Sequence, residues 1–280
     1  MKIVKFLGGL GNQMFQYALY KSLQKKFNVK ADLQGYRDYP LHNGFEIAHI
    51  FNIKLNAISS FRSNLYANKK WKYRKLRRIL NLKNVYKEES NLFSFDPFVI
   101  DDPKTAYYWG YWQNLKYFIN IAPEIRHDFQ FKNELTGRNQ VVLTEVIKNN
   151  SVSLHVRRGD YLKDPLLGGL CGPDYYQKAI DYINDHIYQP DFFVFSDDIS
   201  WCMENLKLTN STFISWNKGN SSYIDMQLMS NCKHNIIANS SFSWWAAWLN
   251  TNPDKIVIAP KKWVNREKTT MSFPDNWITF

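Results

Sequence analysis

The sequence predicts an α/β protein built on parallel sheets, and three observations carry that expectation. In the second half of the chain, apolar strand-like runs near 151–156, 192–196, 212–215, 234–238 and 255–259 alternate with helical patterns at 174–187, 199–207, 221–232 and 241–250. Such alternation calls for a parallel sheet covered on both faces. At the amino end, a strand over 2–7 runs straight into Gly8-Gly9-Leu10-Gly11-Asn12-Gln13 and then a helical pattern from Met14 to Phe27. Finally, three strand ends in the second half carry polar signatures, and in a parallel sheet all three fall on the edge where ligands bind.

At 280 residues the chain holds one large or two ordinary domains. A hydrophobic share of 45% with 16% aromatics makes it globular rather than disordered. The polar run Lys148-Asn149-Asn150 marks the expected junction, giving domains 1–149 and 150–280. The apolar stretch that opens the chain is too short for a signal peptide, and no later run approaches a membrane span, so a cytoplasmic protein is expected. Cys171, Cys202 and Cys232 show no Cys-x-x-Cys spacing, which points to neither a disulfide framework nor a zinc knuckle.

Taken in order, the glycine loop at 8–11 has the layout of a phosphate-binding edge, yet it matches neither the dinucleotide fingerprint nor a Walker loop. A tight packing turn is an equal reading. His42 and Glu46 follow in a loop running into a short helix, and either residue type can serve as acid or base or be structural. The net charge of +11 is concentrated between Arg62 and Lys87, where ten basic residues stand with no Asp or Glu. Trp71, Leu76, Ile79, Leu80 and Lys83 fall near helical spacing there. A helix of this kind suits an anionic lipid surface, or else it is solvated with its few apolar residues facing the core. Nucleic acid ranks lower, because no recognisable nucleic-acid fold accompanies the cations. The run Tyr107-Tyr108-Trp109-Gly110-Tyr111-Trp112 reads as a buried strand, although aromatic faces also form platforms for sugar rings.

The strand ends carry the chemistry. The first closes in His155-Val-Arg157-Arg158-Gly159-Asp160, where paired guanidinium forks suit phosphate oxygens and Gly159 allows a close backbone approach. The second is Ser196-Asp197-Asp198, acceptors for a ring N–H or sugar hydroxyls, or simply a helix start. The third is Asn239-Ser240-Ser241-Phe242-Ser243, where hydroxyls and free backbone N–H groups at a helix start can hold phosphate.

These residues together resemble a known family. Gly8 to Tyr17, His155-Val-Arg157-Arg158-Gly159-Asp160-Tyr161, Phe195-Ser196-Asp197-Asp198 and Ser240-Ser241-Phe242-Ser243-Trp244-Trp245 are similar to the inverting GDP-fucose-dependent fucosyltransferases, most closely the bacterial α-1,2-fucosyltransferases of glycosyltransferase family 11. The resemblance implies a GT-B architecture of two Rossmann-like domains facing across a cleft, 1–149 on the acceptor side and 150–280 binding GDP-fucose. By similarity, Arg157 holds the β-phosphate with Arg158 in support. His155 and Asp197 help hold the guanine, while Ser240, Ser241 and Phe242 line the pyrophosphate and sugar pocket. Asn12 and the glycines around it, Gly9 among them, meet the donor from the other domain.

The implied acceptor is a galactose-terminated oligosaccharide or lipid-linked glycan in surface-polysaccharide or O-antigen synthesis. Segment 62–87 would touch an anionic membrane peripherally, and no nucleic acid is expected. The chain has no Asp-x-Asp to hold a divalent ion, so transfer is expected to need no metal or cofactor. Asp160 is the candidate base by position, with Glu46 and His42 behind it, or alternatively the holder of an arginine. The competing readings are the same donor with another acceptor or linkage and, from another class, a basic lipid-surface or nucleic-acid binding protein.

Overall fold

The computed structural model describes residues 1–36, 42–82, 85–266 and 271–280; Lys83 of the basic segment lies outside them. Contacts divide the chain into two units, Met1–Lys132 and Asn133–Phe280.

In the first unit β1 (Lys2–Lys5), α1 (Leu10–Gln24), β2 (Val29–Asp32), α2 (Ile47–Ile50), α3 (Ser60–Ala67), α4 (Trp71–Ile79), β3 (Tyr86–Glu88), α5 (Pro97–Asp101), β4 (Ala106–Trp109) and α6 (Ala122–Asp128) follow one another. The strands form one parallel sheet in the order β2-β1-β4-β3. The connection from β1 runs one way to β2 while β4 and β3 lie on the other side, so the sheet has a switch point between β1 and β4. Helix α1 begins earlier than its apolar pattern suggests, because the Gly9 carbonyl already accepts from Asn12 and Gln13. Gly11 and Asn12 therefore sit in its first turn. Buried Asp32 ties β2 to its neighbours, accepting from the Ser63 and Tyr107 hydroxyls at 2.6 Å each.

The aromatic run is core where it is strand: Tyr107 and Tyr108 are buried, while Trp109 turns outward. The helical spacing expected from Trp71 onward in the basic segment falls on α4, and α3 precedes it. Leu76 packs against the core, but α4 has no buried residue, and Trp71 and Ile79 are 74% and 70% exposed.

The second unit runs α7 (Gly137–Lys148), β5 (Asn150–Val156), α8 (Pro173–His186), β6 (Pro190–Ser196), α9 (Ile199–Asn205), β7 (Ser211–Ile214), α10 (Tyr223–Asn231), β8 (His234–Ile236), α11 (Ser241–Leu249), β9 (Val257–Ala259) and β10 (Ile278–Thr279). Its six strands are parallel in the order β10-β9-β8-β5-β6-β7. Runs such as Phe192–Phe195 are buried on both faces, as expected where helices cover both sides of a sheet. The expected junction at 149/150 differs from the boundary at Lys132/Asn133 because α7 packs on β5 and α10. A polar stretch after a helix shows where the helix stops; it does not show which core the helix joins. Cys171, Cys202 and Cys232 are free thiols.

Candidate active site

The three polar strand ends come together because their strands are neighbours. β5 lies between β8 and β6, so Arg157-Arg158, Asp197-Asp198 and Ser240-Ser241 all leave the carboxyl edge of three adjacent strands. The order reverses between β5 and β8, which makes this the switch point of the second sheet and the expected place for a ligand crevice.

Carboxylates fix both arginines. Arg157 Nη2 is 2.8 Å from Asp160 Oδ1, and its Nη1 is 3.1 Å from Asp197 Oδ2. Burial works against the Arg157 charge, but the Asp197 and Asp160 carboxylates outweigh it and raise its pKa. Arg158 donates from Nε to Asp198 Oδ2 at 3.0 Å, and its backbone N–H donates to Asp197 Oδ1 at 2.9 Å. Its guanidinium lies 4.2 Å over the Trp201 ring. Asp198 also caps α9 by accepting from the Trp201 N–H, and the Arg158 hydrogen bond together with that cap lowers its pKa.

Asp197 can reach both arginines only because residue 159 is glycine: a Cβ there would stand 2.8 Å from Asp197 Oδ2. Asp197, expected beside a guanine, is thus engaged with the arginine pair. Asp160, expected as a base, is ion-paired to Arg157.

His155 is the next-to-last residue of β5, at its carboxyl end. Burial, then the Arg157 charge, lowers its pKa to about 3, so the ring is neutral at pH 7. Its Nδ1 has no hydrogen-bond partner among the described residues, and Phe242 sits 5.9 Å away between ring centroids. Ser240 caps α11 through its Oγ, which accepts from the Phe242 N–H. Trp244, Trp245 and Trp248 bury the helix body and so fix where its first turn points. Buried Asn239 donates to the Leu167 and Trp263 carbonyls.

Tyr161 lies beneath the guanidinium of Arg157 at 5.6 Å and donates from its hydroxyl to the Asn239 carbonyl at 3.4 Å, which couples the arginine loop to the residue before the α11 cap. Nothing in the sequence around Tyr161 marks this contact, because its partner lies on another strand end.

In the first unit the glycine loop is built for packing as well as approach. Gly8 has φ +79°, and a Cβ on it would meet Asn12 Nδ2 at 2.6 Å. A Cβ on Gly9 would lie 3.3 Å from the His42 ring. Buried Gln13 binds this loop to the next one, donating to the Gly8 and Gly44 carbonyls and accepting from the Glu46 N–H. Asn12 Oδ1 accepts from Gln113 at 2.7 Å, a contact across the β1/β4 switch point. Glu46 is buried; desolvation raises its pKa, while Asn43 and the Leu10 N–H hydrogen-bond it. Its carboxylate therefore supports the start of α1.

A second polar network in the carboxyl unit gave no sequence signal. Asn217 donates to Asp225 at 2.7 Å, and Asn139 accepts from both Asn217 and Trp216. Burial raises the Asp225 pKa to about 7, against the Asn217 hydrogen bond.

Two Rossmann-like units, the second with an arginine pair at its switch point beside a serine-capped helix, make a GT-B-like fold. The family model described as glycosyl transferase family 11 matches residues 1–280. An alpha-1,2-colitosyltransferase of Escherichia coli is 37% identical over 99% of this chain and 97% of its own. The O-antigen biosynthesis glycosyltransferase WbnK, also of Escherichia coli, is 34% identical over 97% of each chain. Galactoside alpha-(1,2)-fucosyltransferase 2 of Oryctolagus cuniculus is 27% identical over 92% of this chain and 69% of its own. Among solved structures, fucosyltransferase NodZ from Bradyrhizobium aligns with a TM-score of 0.52 at 15% identity, covering 88% of this chain and 91% of that one, which shows the fold. The chain belongs to glycosyl transferase family 11.

Proposed function

We propose that this glycosyltransferase moves L-fucose from GDP-β-L-fucose to the 2-hydroxyl of a terminal galactose, with inversion and without a metal ion, in surface-polysaccharide or O-antigen synthesis. The observation that carries the reading is Arg157, held by two carboxylates at the β5/β8 switch point next to the start of α11. As the sugar departs, negative charge grows on the β-phosphate. Donors already aimed at that charge lower the barrier most, since they need not reorganise during the reaction. In this reading Arg157 takes the β-phosphate, while Arg158, Ser240 and Ser241 complete the pyrophosphate site. Neutral His155 and Phe242 line it. Asp160 and Asp197 aim the guanidinium groups.

Purified protein given GDP-fucose and lactose in EDTA tests this, with product followed by mass and NMR. An α-1,2-fucosylated galactoside is the expected product. Activity abolished by EDTA and restored by Mn²⁺ would refute the metal-independent part. A second reading, favoured by the 37% identical colitosyltransferase, keeps the linkage and replaces fucose with colitose, which lacks the 3-hydroxyl. Competition between the two activated sugars separates them.

Among the described residues no helix is long and apolar enough to cross a membrane. Peripheral attachment is the proposal for α4, whose cations flank exposed Trp71 and Ile79. Co-sedimentation with anionic vesicles should weaken when Lys69, Lys70, Lys72 and Arg74 become Glu, and unchanged sedimentation refutes it.

A further inference from the structure

The first unit contains a cavity of about 380 Å³ that the donor chemistry does not use. It lies beside the carboxyl ends of β3 and β4, and it is large enough for a ligand site. Its walls combine two kinds of group. Phe95, Tyr117, Trp112 and Tyr108 form a continuous aromatic chain, with successive ring centroids 5.0, 5.9 and 5.6 Å apart. Of these four rings Phe95 is the one with open surface; Tyr117, Trp112 and Tyr108 are buried and back it from behind, with the Tyr108 and Tyr117 hydroxyls committed to the Val99 and Ser94 carbonyls.

The polar groups are placed differently. Glu89 Oε2 accepts from the Tyr111 and Trp112 N–H groups, while Oε1 has no partner among the described residues. Burial raises the Glu89 pKa against those two N–H bonds. Gly110 makes the approach possible, because a Cβ there would meet Glu89 Cβ at 2.6 Å. The Trp112 indole N–H is buried without a partner among the described residues. Trp112 and Phe93 both hold left-handed backbone, φ +56° and +66°, and Asn114 fastens the Phe93 carbonyl. Strained non-glycine residues persist where the surroundings over-determine them, and they gather at ligand clamps.

We propose that this cavity is a saccharide subsite that binds a neutral sugar residue of the acceptor glycan. Pyranose rings present C–H faces that lie on aromatic rings, and their hydroxyls bond to carboxylates and amides at the rim. Among the described residues the lining holds four carboxylates, Glu88, Glu89, Asp96 and Asp102, against one cation, Lys87. That charge disfavours uronic or sialic acids. The word "acceptor" rests on the transferase reading; the binding of a neutral sugar does not.

The test uses the full chain with methyl β-galactoside, lactose and a neutral tetrasaccharide ending in β-galactose. Saturation-transfer NMR should carry magnetisation from the aromatic rings to tetrasaccharide protons. Phe95→Ala and Glu89→Gln should each raise the tetrasaccharide KM at least tenfold. Their GDP affinity and their turnover of methyl β-galactoside should stay within twofold of the parent. If no galactoside is fucosylated, the transferase reading fails, and the NMR transfer, lost in Phe95→Ala, still reads the cavity. Tetrasaccharide binding unchanged in both folded variants overturns the proposal, as does absence of binding by every neutral sugar tested.

Discussion

Replacing Gly159 by alanine should cost donor binding without unfolding the protein. The new Cβ would stand 2.8 Å from Asp197 Oδ2 and 3.3 Å from its Cγ. Ordinary contact begins near 3.5 Å, so the carboxylate must retreat by about 0.6–0.7 Å. The group that yields is the end of a side chain, so the strain falls on Asp197 and not on the backbone of β5. Its two contacts, to Arg157 Nη1 at 3.1 Å and the Arg158 N–H at 2.9 Å, are both stretched. Hydrogen bonds to charged groups contribute about 1.5–3 kcal/mol each, and partial exposure reduces that. A combined loss of about 1–3 kcal/mol follows, or roughly 5- to 150-fold in the Kd for GDP. Calorimetric titration with GDP beside a thermal melt reads both quantities. A GDP Kd within twofold of the parent would show that Asp197 does not aim the arginines toward the ligand.

Three further outcomes follow from the same geometry. Asp160→Asn keeps an acceptor for Arg157, so turnover should stay within about tenfold; a loss beyond about 10³ would make Asp160 the base. Asp225 has its pKa raised from an unfolded value near 3.8 to about 7, so its contribution is fully present below about pH 4 and is lost as pH rises to about 7. Asp225→Asn should therefore stabilise the protein at pH 8, by at most about 4 kcal/mol, seen as a raised Tm, and change Tm little at pH 4; equal shifts at both would refute the assignment. Gly8→Ala forces a side chain onto φ +79° and against Asn12, which should destabilise by about 1–2 kcal/mol in denaturant titration.

Much of this arrangement was legible in the sequence because it is local. Alternating strands and helices, the Arg-Arg-Gly stop after Val156 and the serine-capped start of α11 each depend on neighbouring residues, and all are seen. Placing the three polar strand ends on one edge needed only the assumption of a parallel sheet. That they are adjacent depends on β5 pairing with both β6 and β8, a long-range choice that no motif spells. The same limit hid the Gly159–Asp197 packing and the Asn139–Asn217–Asp225 network. Glu89 was unread for another reason: it closes a polar strand, and only its folded contact with Gly110 and the 111–112 backbone marks it. The amphipathic trace over Trp71, Leu76, Ile79 and Leu80 falls on α4 and its C-cap, while the break at Asn68 that sets α3 apart carries no such signal. Contacts group α7 with the carboxyl unit, an allegiance that helical periodicity does not carry.

The central claim is that Arg157 stabilises a departing GDP. Single-turnover transfer from GDP-fucose to lactose, in EDTA, compared between the parent and Arg157→Ala, tests it most directly. A loss of about 10²–10³ in rate is expected, the size seen when one preorganised donor to a developing anion is removed. A folded Arg157→Ala protein that transfers within tenfold of the parent rate would contradict the account.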